Sequence, residues 1–123
     1  NCPNILNYPT TYLNNYSKRE YFMKFAVRNT WICQRGKGPE ALEGFKVVAE
    51  SYKDMGLPTR LYVDISGSMD TVVMEFEIDS LDGYFTDQRA FYAGMDEATK
   101  GLIGSINSNT SSGNRVLYEI VEF

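Results

Sequence analysis

The chain has 123 residues, 43% of them hydrophobic and 23% charged, with a net charge of −4. That is the balance of one soluble globular domain with a core of its own, too short for two. No basic stripe marks a nucleic-acid binder, no apolar run is long enough to span a membrane, and there is no histidine.

The missing histidine removes the commonest general acid or base, the commonest zinc ligand and the usual proximal haem ligand. Ser-His-Asp and Cys-His nucleophiles go with it. The two cysteines, Cys2 and Cys33, are far apart and make neither a disulfide framework nor a metal site. Cys33 lies in a strand-like run and reads as a buried thiol. We therefore expect no metal and no cofactor, and a cytoplasmic protein.

Residues 1–21 hold neither the period of a strand nor that of a helix, and read as an N-terminal extension. The domain is expected over 22–123. KFAVRNTWICQ, from Lys24, alternates as a strand. Phe25, Val27, Asn29, Trp31 and Cys33 share one parity, and Arg28, Thr30 and Ile32 the other. RGKGP breaks the strand, as a turn or as a holder of an anion at a helix N-terminus. Pro39 suits a first helical turn, and the spacing of Leu42, Phe45, Val48, Ala49 and Tyr52 predicts a helix over 40–55. Gly56 and Pro58 end it.

TRLYVDIS is the second strand, with Leu61, Val63 and Ile65 on the core parity. SGSMD turns into TVVMEFEI, the third strand, giving a hairpin. Asp79-Ser80 can cap the next helix, traced by Leu81, Tyr84, Phe85, Gln88, Phe91 and Tyr92. That spacing favours core over an aromatic ligand box. Gly94 stops the helix. Residues 96–106 read as a further helical piece, weakened by Gly101 and Gly104. NSNTSSG is a polar loop, and NRVLYEIVEF the last strand. The Asn15 and Asn109 glycosylation triplets are read as chance.

The order is that of a ferredoxin-like βαββαβ domain, α+β in class. We take its usual antiparallel sheet, order 4-1-3-2, with the helices on one face. Parity places Val72, Met74, Phe76 and Ile78 under the helices, with Val116, Tyr118 and Ile120. The opposite face carries Arg28, Thr30, Arg60, Tyr62, Asp64, Val73, Glu75, Glu77, Leu117 and Glu119. It is too apolar for water alone and too charged for a dry core. The simplest cover is a second copy of the same sheet.

The run MDTVVMEFEIDSLDGYF, with the closing GNRVLYEI, resembles small proteins of the dimeric α/β-barrel superfamily, particularly NIPSNAP-like members. The resemblance spans about residues 22–123. It implies two ferredoxin-like sheets facing each other across a two-fold axis. Antibiotic-biosynthesis monooxygenases, muconolactone isomerases, polyketide cyclases, chlorite dismutases and haem-degrading enzymes share that superfamily. Many use a histidine near the pocket, so their activities do not carry over to this chain.

We expect a homodimer with a small organic ligand between the sheets, and no nucleic-acid or membrane partner. The candidate acid or base is Glu75 or Glu119, with Arg28 as an anion or carbonyl clamp. Tyr62, Asp64, Arg60, Thr30 and Val73 are the expected ligand contacts. The plainer alternative is a structural Arg28–Glu75 or Arg28–Glu119 pair in an interaction module without a ligand.

Overall fold

The computed structural model describes residues 23–123. The expected N-terminal extension, Cys2 and the Asn15 triplet lie outside them.

Strand β1, Lys24–Cys33, runs into a tight turn and helix α1, Gly38–Asp54, with Pro39 in its first turn. Strand β2, Thr59–Val63, and strand β3, Thr71–Ile78, form the hairpin. Helix α2, Leu81–Ala93, opens with the Ser80 hydroxyl accepting from the Gly83 N–H at 3.0 Å. Helix α3, Glu97–Asn109, opens the same way, with Asp96 accepting from the Thr99 N–H at 2.7 Å. Strand β4, Thr110–Ile120, follows at once. The sheet is antiparallel with order β2-β3-β1-β4, the expected 4-1-3-2 read from the other edge.

The core lies between the sheet and α1. Val27, Val72, Met74 and Phe76 from the sheet meet Ala41, Phe45 and Ala49 from the helix, all buried. Burying each large side chain contributes roughly 1.5–3 kcal/mol. Trp31 stacks on Phe45 with ring centroids 4.3 Å apart, and Tyr52 stacks on Phe76 at 4.4 Å, so both aromatics are packing residues. Gly113 stands opposite Trp31, and a Cβ there would come within 3.2 Å of the indole. The glycine is what lets β4 run beneath the ring. Cys33 is buried as expected, and burial pushes its thiol pKa up.

Four expectations are corrected. The NSNTSSG stretch is no loop: α3 continues to Asn109 and β4 begins at Thr110. Ile65, placed in the core by parity, is 96% exposed, because β2 ends at Val63 and the chain turns away. Of the aromatics of α2 only Tyr84 is buried; Phe85, Phe91 and Tyr92 stand about half exposed.

The parity of β4 is also the reverse of that expected. Leu117 pairs with Val27, Arg115 with Asn29 and Glu119 with Phe25, so these share the helix-covered face. Val116 pairs with Arg28 and Tyr118 with Ala26, on the open face. The cause is visible in VLYEIV, which is apolar on both parities. At the sheet edge, where neither face is deeply buried, alternation carries little information.

Candidate functional site

The open face is built row by row from the strand register. Arg60, Glu75, Arg28 and Val116 stand side by side across the four strands. Tyr62, Val73, Thr30 and Asn114 make the next row. On the other side of the charged row lie Glu77, Ala26 and Tyr118. Alternation in β1 and β3 forces this, because their other parity is committed to the core.

At the centre, Arg28 Nε donates to Glu75 Oε2 at 2.8 Å, and Nη2 lies 2.7 Å from the same oxygen. This contact holds the guanidinium more firmly protonated, its pKa raised by the hydrogen bond and charge of Glu75. The guanidinium carbon sits 5.1 Å from the centre of the Tyr118 ring, a cation–π contact. Side-chain exposure is 46% for Arg28 and 22% for Glu75, so the pair is open to whatever covers the face. Around it stand Ile32 at 41%, Tyr62 at 42% and Tyr118 at 46% exposed.

The structure thus brings together Arg28, Glu75, Arg60, Tyr62, Thr30 and Val73. It separates two expected members. Glu119 belongs to the helix-covered parity, opposite Phe25, and cannot share Arg28 with Glu75. Asp64 lies just past the end of β2, where its Oδ1 accepts from the Ser66 N–H at 2.8 Å and the Gly67 N–H at 2.7 Å. These bonds lower its pKa and make it a turn residue. Tyr118 is the residue that parity missed. Its signal lay in the pairing of β4 with β1.

The RGKG turn has its anion supplied from within the chain. The Asp70 carboxylate accepts from the Gly36 and Gly38 N–H groups, each at 3.1 Å, and pairs with the Arg35 guanidinium. Asn109 is buried at the end of α3, which fits a chance glycosylation triplet. A shallow depression of about 110 Å³ lies between Lys24, Leu57, Pro58 and Glu77, at one end of the sheet. That is well below the ~300–1,000 Å³ of ordinary ligand pockets. Among the described residues no helix is long and apolar enough to cross a membrane, and no three metal-ligating side chains cluster.

An antiparallel four-stranded sheet in this order, with its helices to one side and a bare mixed face, defines a ferredoxin-like protein. Solved structures of that class share the fold of this chain. A NIPSNAP family protein from Agrobacterium tumefaciens superposes with a TM-score of 0.69 at 16% identity, over 81% of this chain and 88% of the other. A dimeric protein of unknown function and ferredoxin-like fold from Bacteroides fragilis gives 0.57 at 15% identity, over 79% and 96%. SnoaB, a cofactor-independent oxygenase from Streptomyces nogalater, gives 0.60 at 12% identity, over 81% and 95%. No protein-family model matches the chain, and no curated protein does. The fold is therefore that of NIPSNAP and dimeric ferredoxin-like proteins.

Proposed function

We propose that this chain forms a homodimer whose open sheet faces meet and enclose a small organic ligand. The observation that carries this is the mixed face itself. Half-exposed Tyr62, Tyr118 and Ile32 surround a charged Arg28–Glu75 pair. Water alone has no need of the aromatic and aliphatic side chains, and a dry interior would penalise the charges. A second sheet covers the apolar part and leaves the polar centre lining a cavity. The dimeric ferredoxin-like proteins among the fold neighbours support a dimer.

Native mass spectrometry of the purified full chain tests the ligand. The expected result is a dimer carrying a small molecule that is released on denaturation, or one that takes up added organic probes. A dimer that retains and takes up nothing contradicts it and leaves an interaction module.

A second reading makes the site catalytic without a cofactor, as SnoaB is described. Glu75 is then the proton acceptor and Arg28 the clamp that orients the substrate and stabilises developing negative charge. In this reading Glu75→Gln lowers turnover by ~100-fold or more while ligand binding persists. Unchanged turnover removes Glu75 from any chemistry.

A further inference from the structure

We propose that the ligand of this site is an organic anion, a carboxylate or sulfonate on a flat apolar body, and that Arg60 is its anchor. This rests on the face-to-face dimer proposed above and assigns the chemistry of its cavity.

In the central row of the open face two guanidiniums, Arg28 and Arg60, meet one carboxylate, Glu75. Glu75 stands between two arginines, opposite Arg28 on β1 and Arg60 on β2. Both contacts with Arg28 fall on one carboxylate oxygen, Oε2. Among the described residues Arg60 has no ion pair, although it is a direct cross-strand neighbour of Glu75.

On a single chain an exposed guanidinium costs nothing, because water solvates it. Under a second sheet it loses that water, and an unpaired buried charge is strongly disfavoured. Two-fold symmetry repeats the surplus, so the second sheet brings another Arg60 along with its own carboxylates. A ligand anion relieves both. Its oxygens can accept from the Arg60 fork, whose planar donors match carboxylate and sulfonate geometry. Tyr62, two residues along β2 on the same face, offers a flat wall for the ligand body, and Val73 beside it an apolar floor. Arg28 remains held by Glu75 and Tyr118, which leaves Arg60 the free donor set.

Two dyes with one ring framework test this on the full-length protein. 8-Anilinonaphthalene-1-sulfonate carries a sulfonate, and N-phenyl-1-naphthylamine lacks it. Fluorescence titrations should give at least ~10-fold tighter binding of the sulfonate, the discrimination expected of a charge-assisted hydrogen-bonded pair. Arg60→Met should abolish that preference while leaving the neutral dye unchanged, and Arg60→Lys should restore part of it. Equal binding of the two dyes to the dimer overturns the inference, as does a preference that survives Arg60→Met. If Arg60→Met instead weakens the dimer and leaves the dye preference intact, Arg60 pairs across the interface and the inference is overturned. Light scattering on the same samples keeps the two proposals apart, since a monomer contradicts the dimer itself.

Discussion

Asp70 holds a left-handed backbone, φ 58°, at the end of the turn into β3. Asp is one of the few residues that tolerates that region. From there its carboxylate reaches the N-terminus of α1 and fills the place an external anion would take, and its main-chain oxygen accepts from the Cys33 N–H at 2.8 Å. The hydrogen bonds and Arg35 hold its pKa below the ordinary carboxylate value. A depressed folded pKa gives stability that is full above the unfolded value and lost as pH falls through the folded one. Urea midpoints of the wild type and Asp70→Asn should therefore differ at pH 7, with the variant less stable. The gap should begin to shrink below about pH 4, where the unfolded aspartate protonates, and close as pH falls through the lower folded value. A gap that persists undiminished at low pH would show the charge to be irrelevant. RGKG was legible as a turn before a helix, but its partner lies more than thirty residues away, where local pattern says nothing.

At the scale of elements, the glycines of the helices divide by what stands over them. A Cβ on Gly44 of α1 would meet the Ile106 side chain of α3 at 2.9 Å, while Gly101 and Gly104 have nothing within 4 Å. Gly44 is the close-approach point of the two helices. Alanine at Gly101 or Gly104 should stabilise by about 0.5–1 kcal/mol through helix propensity alone. Gly44→Ala gains the same propensity but must push α3 away, a cost of ~1–3 kcal/mol that makes it neutral or destabilising. Chemical denaturation of the three variants checks the order. If Gly44→Ala is the most stable, the α1–α3 contact is looser than the distances imply. β1, α1 and β3 were legible because each has one buried face and a clean period. β4 was misread because its two parities are equally apolar, and α2 because its aromatic spacing fits a core that reaches only Tyr84. Glu119 fell out of the candidate site, and Tyr118 entered it, by that one error of parity.

For the whole molecule, the proposed dimer covers the open sheet face with a second copy. Composition and alternation in β1 and β3 already marked that face as mixed. How much of it a ligand occupies could not be read, because that depends on a surface the single chain does not contain. The molar mass at micromolar concentration, by light scattering, is the decisive measurement of that dimer. It should be twice the 14.0 kDa of one chain. Val73→Asp, a charge placed mid-face, should halve it, whereas Phe91→Asp on α2 should not. A wild type that elutes at the mass of one chain, or a dimer broken by Phe91→Asp and untouched by Val73→Asp, would rule out the face-to-face dimer.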